Sequence, residues 1–226
     1  MASKNLKLKR HEDADGTVVR KRILSAALSA FMEGGYAQTS TLEIATKARV
    51  SKRELYSLFG NKQAMLIACI AERAQRLKVP IDLPELRDRN TLDKVLTAFG
   101  AKLLTETSDP VVVAVFRLAI SEAVAAPQVA QALESIARKP TRDALQEIMT
   151  SARRAEFVRG DPAVMAAQFS GFLFGDTMIG LLLRVTTPPD AGEIARRARE
   201  ATQAFLHLYP EPIKLDPSSS AESRGV

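Results

Sequence analysis

Apolar residues recur along this chain at three- and four-residue intervals, the spacing that gathers them on one face of an α-helix. Val19, Ile23, Ala27 and Phe31 follow one another four apart, flanked by Leu24 and Leu28. The run stops at Gly34-Gly35, a pair suited to the left-handed end of a helix. The pattern predicts a first helix from Thr17 and, after two short segments, further helices over about 62–77, 91–107, 110–125, 127–137, 141–155, 162–184 and 190–208. Punctuation agrees with these limits. Asp109-Pro110 and Asp161-Pro162 each offer an N-cap followed by proline in the first turn, while Pro80, Pro84, Pro140 and Pro188-Pro189 stand where helices must stop. The helix from 110 is almost wholly apolar and is expected to be buried. No stretch alternates as a strand would, so the expected fold class is all-α.

The two short segments carry the sharpest local signal. Ser40-Thr41-Leu42-Glu43 is a capping box, in which the serine hydroxyl accepts from the backbone of residue 43 and the glutamate reaches back. Ser51-Lys52-Arg53-Glu54 repeats the device eleven residues later. Two N-caps so close require two short helices, about 41–48 and 52–59, joined by Arg49-Val50-Ser51. That is the turn length of a helix-turn-helix. Ile44, Ala45, Val50, Leu55 and Phe59 supply the faces that pack this pair on the first helix.

Charge sharpens the reading. The chain has a net charge of +6, and residues 1–62 hold 12 Lys/Arg against 6 Asp/Glu while the remainder holds 20 of each. A solubilising charge would be spread out; this one is concentrated on the helix-turn-helix and its approach, as an electrostatic footprint for nucleic acid would be. The single cysteine, Cys69, excludes an internal disulfide and, with Leu66, Ile67 and Ile70 around it, reads as a core thiol. No basic–apolar–small export pattern opens the sequence, and Gln168 and Asp176 interrupt its most apolar stretch, so a cytoplasmic location with no membrane partner is expected.

In a helix-turn-helix the second helix enters the major groove with its N-terminal residues toward the base edges. The candidate DNA contacts are therefore Ser51, Lys52, Arg53, Tyr56 and Ser57, with Ser40 and Thr41 offering backbone and hydroxyl donors to one strand and Lys62 an ammonium. Arg53 can bond guanine through two donors, whereas Lys52 and Lys62 suit phosphate. Glu54 could accept from cytosine, but its capping role takes precedence. The run Ile23-Leu24-Ser25-Ala26-Ala27-Leu28, Phe31, Gly35-Tyr36, Thr39-Ser40, Ile44-Ala45, Val50-Ser51-Lys52, Leu55-Tyr56, Phe59 and Asn61-Lys62 resembles the DNA-binding domain of TetR-family repressors. Arg117–Ala123 and Phe157–Leu183 resemble the C-terminal domain of the family's AefR-like subgroup. The resemblance implies an N-terminal three-helix domain, a larger helical ligand-binding and dimerisation domain, and a homodimer on a palindromic operator. Three positions depart from the family pattern: Arg49 stands where the turn usually has glycine, Arg53 replaces a small residue, and Leu58 replaces a common histidine.

The organisation expected is a flexible basic arm (1–16), a DNA-binding domain (17–61), an effector-binding and dimerisation domain (62–209) and a Pro/Ser-rich disordered tail (210–226). Small residues one turn apart, Ala167, Gly171 and Gly175, followed by Met178, allow close helix approach; with the resemblance they become the expected dimer interface. Apolar walls with a few polar groups among them mark a candidate effector site: Phe99, Phe116 and Phe172 with Arg117, Ser121, Gln168 and Asp176, although such a stripe is also what plain core looks like. With His11 and His207 far apart in sequence and Cys69 in a core position, no catalytic triad or metal set assembles, and no cofactor is expected. The function expected is a sequence-specific, ligand-released repressor, with an effector-independent architectural DNA binder as the alternative.

Overall fold

The computed structural model describes residues 2–74 and 86–211, with side chains described from residue 16 onward except at 74. Among these residues the chain forms eleven α-helices and no strand: α1 (Ala2–Gly34), α2 (Thr41–Ala48), α3 (Lys52–Phe59), α4 (Lys62–Ala74), α5 (Arg89–Thr107), α6 (Pro110–Ser121), α7 (Pro127–Leu133), α8 (Lys139–Arg154), α9 (Pro162–Phe174), α10 (Thr177–Leu183) and α11 (Ala191–Leu208). The all-α class stands. The expected breaks at Pro80 and Pro84 lie outside the described residues, as does the expected tail from residue 212.

Two compact units result, and neither is a contiguous stretch. The first takes in residues 1–78, 106–141 and 178–188; the second takes in 79–105, 142–177 and 189–226. The boundary expected at 61/62 is therefore not where packing divides the chain. In the first unit Ile23, Ala27, Phe31, Ile44, Leu55, Met65, Leu66 and Ile70 share one core with Val115, Leu118, Val129 and Leu133 of α6 and α7. Cys69 is buried there, its thiol donating to the Leu24 carbonyl at 3.4 Å, and burial pushes its pKa up to about 12. In the second unit Leu92, Leu96, Phe99, Leu145, Met149, Phe169 and Phe205 form a separate core. Gly100 lets α5 lie close to its neighbours, since a Cβ there would meet Leu173 at 3.0 Å and Phe169 at 3.4 Å.

Several elements differ from the periodic pattern, each for a physical reason. The backbone is helical from Ala2, so the expected arm continues α1; residues 2–15 contain no glycine or proline to stop a helix. Pro140 does not separate two helices. A π-helical turn at Glu134–Arg138 widens the coil just ahead of it, with Lys139 N–H bonding the Glu134 carbonyl, and the chain stays helical into α8. The expected helix 162–184 is two helices, because Gly175 adopts φ 46°, ψ −126°, which ends α9. The helix from Pro110 stops at Ser121, and it is not wholly buried: Ile120 is 60% exposed.

Polar groups secure the second unit where helices end. The Arg89 guanidinium donates to the Phe157 carbonyl at 2.6 Å, to that of Tyr209 at 2.7 Å, and to that of Leu206. Leu206 and Tyr209 lie at the C-terminal end of α11, where helix carbonyls lack internal partners and a cation is favourable. Arg89→Ala is expected to lower unfolding free energy by about 2–3 kcal/mol, the scale of hydrogen bonds to a charged group. Urea unfolding checks this through a lower midpoint at unchanged slope.

Candidate nucleic-acid interface

The helix-turn-helix is held by local devices that close at both ends of each helix. Ser40 is extended (φ −94°, ψ 153°), and its hydroxyl oxygen accepts from Glu43 N–H at 3.1 Å. Ser51 repeats this with Glu54 N–H, also at 3.1 Å. Only the serine half of each capping box is made: neither glutamate carboxylate reaches back, so the capping role expected for the Glu54 side chain is not filled. Between the helices, Val50 N–H bonds the Ala45 carbonyl at 3.0 Å and Arg49 N–H bonds that of Thr46 at 3.1 Å. This is a Schellman closure, and it needs a left-handed residue at 49. Arg49 takes that conformation (φ 52°, ψ 49°) without being glycine.

With Leu55 and Phe59 buried, the opposite side of α3 presents Lys52, Arg53, Tyr56 and Ser57 to solvent. The Tyr56 hydroxyl lies 3.1 Å from that of Thr41, so α2 and α3 join at their outer edge and one hydroxyl proton of the pair remains available. Ser40, Thr41, Ser51, Lys52, Arg53, Tyr56 and Ser57 thus share one region around the start of α2 and the outer face of α3.

Lys62 does not belong to that set. Its ammonium donates to the carbonyls of Tyr36 (2.7 Å), Thr39 (3.0 Å) and Ala37 (3.4 Å), and lies 4.4 Å from the centre of the Tyr36 ring. Three donors on three carbonyls leave none for phosphate, so Lys62 positions the α1–α2 connection. Burial, and after it the carboxylate of Glu122, raises the Tyr36 pKa above the ordinary phenol value. Thr39 was not singled out from the sequence, yet it is buried, with its hydroxyl between the carbonyls of Ala30 (3.0 Å) and Gly35 (2.7 Å). A threonine between a loop and an N-cap serine gives no signal of this. Arg20 was missed as well; its guanidinium carbon lies 4.5 Å above the Phe59 ring.

The expected effector residues are divided between the two units. In the first unit Phe116 packs on the core, Arg117 donates to the carbonyls of Leu182 (2.8 Å) and Leu181, and Ser121 donates to that of Leu118 (3.0 Å). In the second unit Phe99 is core, Gln168 accepts from the Tyr209 hydroxyl, and Phe172 and Asp176 are exposed. Ala167 and Gly171 share an exposed face of α9 with Val164 and Phe172, Gly175 follows as its exposed C-cap, and Met178 is half-buried on α10.

Two family models match this chain. Residues 23–69 fit the one for bacterial regulatory proteins of the tetR family, and residues 94–211, more than half the chain, fit the AefR-like transcriptional repressor C-terminal domain. The chain belongs to the TetR family. It is a DNA-binding transcriptional regulator of that family, with the helix-turn-helix in the first unit. An uncharacterised HTH-type transcriptional regulator of Bacillus subtilis (strain 168), YvkB, is 35% identical over 86 residues, which span 38% of this chain and 43% of that protein. A TetR regulator structure from Agrobacterium tumefaciens is 28% identical with a TM-score of 0.68, covering 84% of this chain and 94% of its own. The flavonoid-responsive regulator FrrA shares the fold at a TM-score of 0.73 and 24% identity, over 88% of this chain and all of that one. Among TetR relatives the glycine usual in the turn is replaced here by Arg49. Arg49→Gly is expected to raise stability by up to about 1 kcal/mol, the cost of a left-handed non-glycine residue, read as a higher urea midpoint.

Proposed function

We propose that this protein is a homodimeric repressor that occupies a palindromic operator and leaves it when a small hydrophobic molecule binds the helical domain. One observation carries the DNA half of this reading: the exposed row Lys52, Arg53, Tyr56, Ser57 on a helix whose N-terminus and preceding turn are fixed by closed backbone bonds. Arg53 reads a base and Lys52 sets register on phosphate.

Dimerisation supplies the second half-site, since one eight-residue helix reads too few bases to find a site in a genome. The face of α9 bearing Ala167 and Gly171, with its C-cap Gly175, is the proposed seam, with Val164 and Phe172 exposed beside it and Met178 of α10 following in sequence. Apolar side chains of that kind on an open helix face favour a partner. FrrA, which shares the fold, is flavonoid-responsive, in line with a small-molecule effector here. The site of action proposed for a DNA-binding regulator is the cytoplasm; among the described residues no single helix is long and apolar enough to cross a membrane.

Selection of duplexes from a random pool by the full-length protein tests the reading directly. Retained sequences are expected to share an inverted repeat with half-sites about one helical turn apart or a multiple of it. Arg53→Ala is expected to relax preference at one base pair per half-site at a cost of about 1–3 kcal/mol, whereas Lys52→Ala weakens all sequences alike. A pool returned without sequence bias counts against the repressor and for an architectural binder.

A further inference from the structure

The outer edge of α3 that meets α2 carries the Thr41–Tyr56 hydroxyl pair, the side on which one DNA strand is expected. The other edge borders a groove against α1. Gly16 and Val19 form one wall, and Ser51, Arg53, Glu54, Ser57 and Leu58 form the other, around an open volume of about 480 Å³. Gly16, Val19 and Arg20 share one face of α1, three and four residues apart. Arg53 is the cation in that lining; Arg20, the residue after Val19, lies outside it, beside the C-terminal end of α3, with its guanidinium on the Phe59 ring.

We propose that this groove seats the second phosphodiester strand of the operator half-site, with Arg20 as the fixed cation beside it. The inference rests on the DNA-binding reading above and adds a phosphate seat to it. A recognition helix in a major groove about 12 Å wide is flanked by a phosphate backbone on each side. The α2 edge meets one backbone, and the α1–α3 groove is the opening that faces the other.

Its chemistry suits a phosphodiester. The Ser51 oxygen is occupied in accepting from Glu54 N–H, so its own proton is free to donate outward, and Ser57 is exposed. Arg20 is exposed and makes no hydrogen bond or ion pair among the described residues, so all five guanidinium donors are available. The Phe59 ring restricts the guanidinium plane, which lowers the cost of fixing it on an anion. Among the described residues Glu54 is the one acid lining the groove, and its exposed carboxylate opposes a phosphate there.

Fluorescence anisotropy with a selected duplex and a random duplex of equal length, over a series of salt concentrations, tests the seat. Arg20→Ala and Arg20→Gln are expected to weaken both duplexes about tenfold, the scale of one charge-assisted hydrogen bond. Each is also expected to lower the salt slope by about 0.9 for every phosphate that no longer meets a cation. Arg20→Lys keeps most of the affinity, and Glu54→Gln tightens both duplexes. Thermal unfolding of each variant is followed in parallel, so that loss of fold is read separately. An Arg20→Gln protein that binds like the wild type overturns the proposal. So does an Arg20→Ala loss at unchanged salt slope, which leaves Arg20 as cover for Phe59 alone. A wild-type protein that retains neither duplex overturns the DNA-binding reading itself, a result distinct from either.

Discussion

Two helices of eight residues each cannot hold themselves in water, because the cost of nucleating a helix is recovered only over a longer run or by tertiary packing. Everything about the reading head follows from that shortage. Ile44, Ala45 and Ala48 of α2 and Leu55 and Phe59 of α3 are too few to form a core, and they are buried against α1 and α4 instead. Those longer helices are themselves buried against Val115, Leu118, Val129 and Leu133. The helix-turn-helix is therefore the outer part of a core that includes α6 and α7. A change that repacks either of those helices acts on the surfaces that orient α3, with no linker between to absorb it.

The second recurrent device is a single cation spread over several backbone carbonyls. Lys62 does this for the α1–α2 connection, Arg89 for the end of α11, and Arg117 for the end of α10. Carbonyls at helix ends and in tight loops have no partner of their own, and leaving one buried and unmet costs about 1–3 kcal/mol. A cation meets two or three at once and needs no acidic partner. Part of the basic excess is therefore structural. Lys62 is counted in the N-terminal charge, but its ammonium points at Tyr36 and Thr39 and not outward.

This explains what was legible from sequence. The all-α class, the N-caps at Ser40 and Ser51 and the departure at Arg49 are local properties, decided by a few adjacent residues, and they hold in three dimensions. The partition into units was not legible, because α5 and α8 cross between the two sets of residues without any change in periodicity. The break at Gly175 was hidden for a related reason: glycine inside an apolar run reads equally as a close-packing position or as a stop. The direction of Lys62 depends on carbonyls more than twenty residues away. Arg20 stood in plain view beside Lys21 and Arg22, and only the fold distinguishes it, by placing Phe59 beneath it.

The effector control proposed above is constrained by the same need to keep polar groups partnered. A ligand alters operator affinity only through a difference in its binding to two arrangements, and couplings of about 1–3 kcal/mol are typical. Any molecule that recruited Arg117 would strip two carbonyls of α10 of their donor, and the loss would be of the same size as the coupling it had to create. Ser121 and Gln168 are similarly engaged, with the Leu118 carbonyl and the Tyr209 hydroxyl. A ligand working mainly through apolar contact escapes that penalty, because displacing one hydrocarbon surface with another leaves no polar group unmet. Arg117, Ser121 and Gln168 each already have a partner within their own unit, and an effector working through apolar contact would leave those bonds in place.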